Sequence, residues 1–323
     1  MTGGSGFIGG VLIRRLRAEG WGVRALARSE RSAEIVSGRG AEPVTGDLDD
    51  VQAMTEGATG AHVVFHAAAQ LGEWGSRADF ELANVMGTRN ALRAARNSGA
   101  RRFVHVGTEA ALMHGEPLVN VDERAPVRPD SKALYSATKA EAEIEVKNAN
   151  GADLETVVIR PRLVWGVGDT TILPSVAEAA EKGRWAWIGG GRHRTSTTHV
   201  ENVVEGLWLG ATKAAPGSVY FVTDGEPVVF RDFMTRLLAT QGVELPDKNA
   251  PRGVVGALAG IGETAWRFLP LPGQPPVTRL AYWLASQECT IDISRARSEL
   301  GYAPVKTIDQ GMEELTRAHS GGV

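Results

Sequence analysis

The chain has 323 residues, 43% apolar and 23% charged, with a formal net charge of −3. That excludes general disorder and leaves room for a sizeable core in one large domain or two interlocked ones. Lysines and arginines are scattered, which excludes a basic footprint for nucleic acid. Cys289 stands alone, so neither an internal disulfide nor a cysteine-based metal site can form, and no histidine spacing suggests a bound metal. No apolar run approaches the ~20 residues that span a bilayer; the uncharged stretch Gly253 to Gly262 is closed by Glu263. The N-terminus lacks a signal-peptide pattern, so cytoplasm is the expected location.

In chain order, Thr2-Gly3-Gly4-Ser5-Gly6-Phe7-Ile8-Gly9 comes first and opens a helical pattern over Val11 to Glu19. Gly3 suits a sharp turn, Gly6 lets backbone approach a pyrophosphate, and Gly9 lets helix pack closely on strand. The helix N-terminus then faces the anion. Such a loop normally follows a strand, yet Met1 directly precedes it. That strand would be central, and without it ladder groups are left unpaired. The expectation is a late start, with Met1 where the strand's last valine belongs and an apolar strand encoded upstream.

Gly22 to Ala27 reads as a strand that runs into Arg28. No acid stands there to hold ribose hydroxyls; Glu30 comes two residues later. Arg28, with Arg31 nearby, suits a 2′-phosphate, so NADP(H) is favoured and NAD(H) is the alternative. His62 to His66 and Arg102 to Val106 read as strands, and Phe80 to Ser98 as a helix between them. The second strand delivers Thr108 to a sheet's C-terminal edge, where doubly wound folds bind ligands. There it can hydrogen-bond a substrate oxygen and turn it toward Tyr135.

Tyr135 opens a helical stretch reaching Asn148, and Lys139 lies four residues on, on the same face. A free tyrosine titrates near roughly 10, too high for a base at neutral pH. A neighbouring ammonium favours the phenolate and lowers that value. Thr156 to Ile159 reads as a further strand. This rhythm predicts an α/β, doubly wound parallel sheet of the Rossmann kind. Residues 1–165 form the dinucleotide-binding domain and 166–323 a smaller mixed substrate region. In the latter, Val219 to Val222 is a strand returning to the main sheet. Gly189 to Gly191 with Arg192, His193 and Arg194 reads as a loop, and Pro270 to Pro276 as irregular chain. Tyr302 and Lys306 repeat the four-residue spacing, but Pro304 breaks the turn and leaves them in a loop.

The motifs Thr2 to Gly9, Gly46-Asp47-Leu48, His66-Ala67-Ala68-Ala69, Asn84-Val85-x-Gly87-Thr88-x-Asn90, Tyr135-xxx-Lys139 and Arg160-Pro161 follow one another here. In that order they resemble the extended short-chain dehydrogenase/reductase superfamily, over nearly the whole chain. The ending from Thr290 to Ala296 and from Leu300 to Pro304 resembles its C-terminal signature. Thr198 to Val204 and Gly217 to Pro227 resemble the 3β-hydroxysteroid dehydrogenase and sterol-4α-carboxylate dehydrogenase branch. The resemblance implies a catalytic set of Thr108, Tyr135 and Lys139. It implies that Gly3, Ser5, Gly6, Phe7, Ile8 and Gly9 line the pyrophosphate and that Asp47 and Leu48 flank the adenine. His66, Ala67 and Ala68 would run beside the cofactor, with Pro161 and Val164 near the nicotinamide; Tyr135 and Lys139 would also touch it. It further implies a homodimer through the helices Phe80 to Ser98 and Tyr135 to Asn148. Eukaryotic relatives carry a membrane-associated segment in the region matching Gly253 to Leu271. That segment is too short to span here, so Trp266, Phe268 and Leu269 are read as a lid over an apolar substrate or as core.

Three functions follow. The leading one is hydride transfer between a nicotinamide cofactor and a secondary alcohol or ketone, a small molecule such as a 3β-hydroxysteroid. A sugar-nucleotide epimerase is the alternative. Dehydratases of the superfamily resemble one another in Thr-Asp-Glu at the threonine, whereas Thr108-Glu109-Ala110 lacks the second acid. A non-enzymatic cofactor sensor is the third, and such relatives lose the Tyr-Lys pair that this chain keeps.

Overall fold

The computed structural model describes residues 1–269 and 271–321. Through the first half, strands and amphipathic helices alternate as read. Helix α1 (Phe7–Ala18) buries Leu12, Ile13 and Leu16 on one face. It is followed by β1 (Arg24–Ala27), α2 (Glu30–Gly38), β2 (Glu42–Thr45), α3 (Val51–Ala58) and β3 (Val63–His66). The single helix expected from Phe80 to Ser98 is instead α4 (Arg77–Phe80), a π-helical stretch at Glu81–Met86, and α5 (Gly87–Asn97). Then come β4 (Arg102–Val106), the short β5 (Leu118–Val121), α6 (Leu134–Asn148) and β6 (Glu155–Pro161).

The second half brings β7 (Val164–Trp165), α7 (Ile172–Glu181), β8 (Trp187–Ile188), β9 (Arg194–Thr195) and β10 (Thr198–His199). Next are α8 (Val200–Thr212), β11 (Ser218–Val222), β12 (Val228–Val229), α9 (Phe230–Ala239) and β13 (Asn249–Ala250). Helices α10 (Arg252–Phe268) and α11 (Arg279–Ser286), strand β14 (Cys289–Ile291) and helix α12 (Ile308–Ser320) complete it.

The main sheet is parallel, in the order β11-β6-β4-β3, so the second half returns a strand to it. Its apolar strands are covered on both faces, as a parallel sheet requires. Helices α1 and α8 pack on one side, burying Leu12, Ile13, Val203 and Leu207 against Val104 and Ile159. Helices α3, α5 and α6 pack on the other, with Leu92 and Val146 against Phe103 and Val158. Each such side chain contributes about 1.5–3 kcal/mol of burial.

Strands β1 and β2 form a separate parallel pair. Between β1 and β3, the position of a central strand holds only Met1 and Thr2. Met1 O accepts from Leu26 N (2.9 Å), and Thr2 N donates to Phe65 O (3.0 Å) in a parallel bridge to His66. Beside them lies a cavity of about 570 Å³ whose lining includes Leu16, Val23, Leu26, Met54 and Phe65.

In the second half, Trp165, Trp187, Phe230, Phe233, Leu237 and Met312 share a smaller core. Gly189, Gly190 and Gly191 form one 3₁₀ turn with φ of +61°, +80° and +66°, a left-handed run that only glycines make readily. Pro272, Pro275 and Pro276 lie in irregular chain as read, while Pro270 lies outside the described residues. Tyr302 and Lys306 are loop residues, and the Tyr302 hydroxyl donates to Thr223 O at 2.9 Å. Among the described residues, no helix is long and apolar enough to cross a membrane. Core packing is excluded for Phe268 and Leu269, which are 83% and 55% exposed at the end of α10.

Candidate active site

The glycine loop is built by close approach of backbone to backbone. Gly3 has φ +72°, and a Cβ there would lie 2.6 Å from Ala68 N. A Cβ on Gly9 would lie 2.1 Å from Gly3 O, so the third glycine packs helix on loop rather than on a strand. Gly6 N donates to Gly3 O (3.1 Å) and starts α1, whose first turn has no side-chain cap and no acid. Free N–H groups therefore face outward at a helix N-terminus, which suits a diphosphate. Phe7 lies beside Gly168, and Ser5 and Ile8 are half-buried in the loop and the first turn.

Sequence reading missed Arg39. Its Nη1 donates to Gly4 O (2.8 Å) and Gly6 O (2.9 Å), clamping the loop from outside. Only its place in the turn after α2 hinted at this. Arg28 is exposed where β1 ends, just before Ser29 caps α2. Asp47 Oδ1 accepts from Leu48 N (2.7 Å), and Leu48 O accepts from Asn90 Nδ2 (2.9 Å). His66 is buried between Thr2 and Thr88, with its ring nitrogens 2.8 and 3.0 Å from their hydroxyls. Burial and the Lys139 charge lower its pKa to about 3, so the ring is neutral. Ala67 and Ala68 edge Gly3. Pro161 ends β6, and Val164 pairs with Thr198.

Thr108 stands two residues past the end of β4, and the turn it caps packs on α6, which carries Tyr135 and Lys139. The π-helical stretch turns Asn84 inward, where its Nδ2 donates to Thr138 Oγ1 (3.0 Å) and its Oδ1 accepts from Gln70 N (2.8 Å). Thr108 and Lys139 each have polar partners of their own. Thr108 Oγ1 donates to Glu109 Oε2 at 2.9 Å, so its proton already has a taker. Lys139 Nζ is drawn to Val106 O (2.9 Å), and the phenol is not lowered. Burial raises the phenol pKa, the Glu109 carboxylate adds to the rise, and the Thr108 contact partly offsets it. Burial also brings Lys139 down to about 8, against a smaller upward pull from Glu143.

Two buried ion pairs were not read from the sequence. Arg160 pairs with Glu143, its Nε donating to Oε2 at 2.8 Å. Arg162 pairs with Glu109 at 2.5 Å. No group of histidines, cysteines and carboxylates that could hold a metal occurs among the described residues.

The parallel sheet and the chain's relatives define a nicotinamide-dependent oxidoreductase of the extended short-chain dehydrogenase/reductase type. The chain belongs to the 3-beta hydroxysteroid dehydrogenase/isomerase family, whose model matches residues 1–251. It is 45% identical over 322 residues to the 4-hydroxy-2-methyl-3-oxo-4-farnesyl-3,4-dihydroquinoline-1-oxide ketoreductase of Stigmatella aurantiaca, covering 100% of this chain and 96% of that one. It is 37% identical over 326 residues to the 2-alkyl-3-oxoalkanoate reductase of Stenotrophomonas maltophilia, covering 98% and 97%. The crystal structure of gox2253 superposes with a TM-score of 0.80 at 26% identity, over 99% of this chain and 97% of that one.

Proposed function

We propose that the chain reduces a ketone to a secondary alcohol on an apolar small molecule, a steroid or a compound bearing a prenyl or alkyl chain, with NADPH preferred over NADH. One observation carries the reading: the turn capped by Thr108, just past the C-terminal end of β4, packs against α6, which carries Tyr135 and Lys139, at the edge where doubly wound folds take their ligands. The bound nicotinamide supplies the hydride. Tyr135 donates its phenol proton to the carbonyl oxygen, and Thr108 sets that oxygen against the phenol. Lys139 leaves Val106 O for the cofactor ribose, and its charge then eases loss of the phenol proton. Gly3, Gly6 and Gly9 cradle the diphosphate, and Arg28 takes the 2′-phosphate.

The two reductases named above support the substrate class, since their names carry an oxo group beside a farnesyl or alkyl chain. Trp266, Phe268 and Leu269 are the apolar lid in this reading. Residues 1–165 serve the cofactor and 166–323 the substrate. The enzyme is a cytoplasmic homodimer through α4, α5 and α6, an arrangement favoured by the exposure of Leu82 and Met86 beside α5.

The test is a screen at the reduced-nicotinamide absorbance band with NADPH or NADH and a 3-oxosteroid, a 2-alkyl-3-oxoalkanoate or UDP-glucose. Cofactor oxidation with either ketone, lost in Tyr135→Phe, is the expected result. Silence on the ketones with conversion of UDP-glucose and no net cofactor change would overturn the reading in favour of an epimerase.

A further inference from the structure

The second half of the chain holds buried polar atoms that the reaction above does not use. Both ring nitrogens of His193 and the Nε of Arg162 are buried without a hydrogen-bond partner among the described residues. His193 is 7% exposed, and Arg162 is fully buried. A buried donor or acceptor left bare is costly, and nearly all such groups find a partner in a folded protein. The His193 ring stacks on Phe230, with 4.8 Å between centroids and 22° between planes, so one of its faces is covered.

Strand geometry turns this ring toward the catalytic side. Phe230 N donates to His193 O (3.0 Å), which extends the antiparallel pairing of β9 with β12 by one position. Side chains alternate along a strand, so His193 shares a buried face with Thr195, while Arg194 is exposed on the other. Thr195 Oγ1 accepts from Arg162 Nη2 (3.2 Å), and Arg162 Nη1 donates to Glu109 Oε1 (2.5 Å). Glu109 Oε2 in turn accepts from Thr108 (2.9 Å). One guanidinium and one carboxylate therefore separate this corner from the Thr108 hydroxyl. The corner carries no net charge. Glu109 balances Arg162. Burial, then the Arg252 and Arg162 charges, lower the His193 pKa to about 4, so the ring is neutral near neutral pH.

We propose that His193 and the Nε–H of Arg162 are a second polar subsite of the substrate pocket, which takes a neutral oxygen, a hydroxyl or a carbonyl, at the end of the substrate away from the ketone. Arg162 Nε donates to that oxygen. A neutral imidazole presents either an N–H or a lone pair at a given nitrogen, so His193 donates to a carbonyl or accepts from a hydroxyl. A carboxylate would bring an unbalanced charge into a dry site, which is costly. The subsite selects ketones by what they carry at their far end and leaves the apolar body between two polar anchors. The inference rests on the ketone-reductase reading of this site.

His193→Phe tests it, because a phenyl ring can keep the stack on Phe230 while the nitrogens are lost. Arg162 is left in place, since its removal would strand the Glu109 charge. The probes are a 3-oxosteroid and a 2-alkyl-3-oxoalkanoate, each with and without a hydroxyl at the end away from the ketone. With NADPH, KM for the hydroxylated ketone should rise roughly fivefold in His193→Phe, the value of one hydrogen bond, while kcat and the KM of the plain ketone stay in place. His193→Gln keeps one donor and one acceptor and should recover part of the preference. Equal KM changes for the two members of a pair, or no recovery in His193→Gln, would overturn the proposal. A readout independent of turnover is ¹⁵N NMR of histidine-labelled protein with NADP⁺, with the His193 ring signals assigned from His193→Phe. The hydroxylated ketones should shift those signals, and the plain ketones should leave them near their free positions; ring signals that ignore the hydroxyl count against the subsite. If wild type reduces no ketone yet a hydroxylated probe shifts His193, the reductase reading fails and the subsite stands. If wild type reduces the ketones and the ring signals stay put, the subsite fails alone.

Discussion

Gly9→Ala places a methyl group where the structure has none to spare. Its Cβ would stand 2.1 Å from Gly3 O, 2.8 Å from Gly3 C and 2.9 Å from Gly4 Cα, all backbone atoms of the phosphate loop. Position 9 lies in the first turn of α1, so helix propensity alone favours alanine by about 1 kcal/mol. Overpacking costs about 1–3 kcal/mol, and contact with rigid backbone puts this case at the upper end. The net expectation is a loss of about 2 kcal/mol in stability. Cofactor affinity should fall further, because the loop that must yield presents the N–H groups meant for the diphosphate. Losing one charge-assisted hydrogen bond, about 1.5–3 kcal/mol, weakens binding by at least tenfold. Gly38→Ala is the matched control. Gly38 is the last residue of α2, and a Cβ there meets nothing within 4 Å. That change should be neutral or stabilising by up to about 1 kcal/mol. Urea unfolding followed by circular dichroism, with NADPH titration by calorimetry, measures both. Wild-type stability and affinity in Gly9→Ala would refute the packing argument.

Lys139 carries a buried charge whose folded-state pKa of about 8 lies below the ordinary 10.5. The penalty is therefore full below pH 8 and released as pH rises toward 10.5, because the unfolded chain then holds a proton that the folded chain has lost. Lys139→Met should be more stable than wild type at pH 7 by up to about 3 kcal/mol, less the hydrogen bond lost at Val106 O. The two stability curves should converge in alkali, as urea melts across pH would show. Glu143→Ala leaves Arg160 charged and unpaired beneath the sheet and should cost about 3–5 kcal/mol, whereas replacing both partners by leucine should cost far less by the same unfolding assay. Arg28→Ala should raise KM for NADPH about tenfold and leave NADH unaffected, in steady-state kinetics. An equal effect on the two cofactors would remove Arg28 from the 2′-phosphate site.

Much of the fold was legible because parallel strands buried on both faces are short apolar runs. Arg102 to Val106 was read to its ends, and β3, β6 and β11 to within two residues. The tight glycine loop was legible because glycine is required where backbone meets backbone, as at Gly3 and Gly9. The π-helical stretch at Glu81–Met86 was not, since it keeps helical dihedrals and changes only which carbonyl each N–H meets. Tyr135 and Lys139 were singled out by spacing and Thr108 by its place after a strand, but neither signal tells which partners a side chain has. The proton of Thr108 goes to Glu109 and the ammonium of Lys139 to Val106 O, both decided by what packs behind them. Arg39, Glu143 and Arg162 were missed for the same reason: each acts through a contact with a residue at least 17 positions away in the chain.

The central claim is that this chain reduces a ketone with a nicotinamide. Its most direct test is mass spectrometry of the alcohol formed from a 2-alkyl-3-oxoalkanoate or a 3-oxosteroid with NADPH deuterated at C4 of the nicotinamide ring on the transferring face. The expected product carries one deuterium on its carbinol carbon, and Tyr135→Phe yields no product despite unchanged NADPH binding. Alcohol formed without the label, or full activity in Tyr135→Phe, would contradict it.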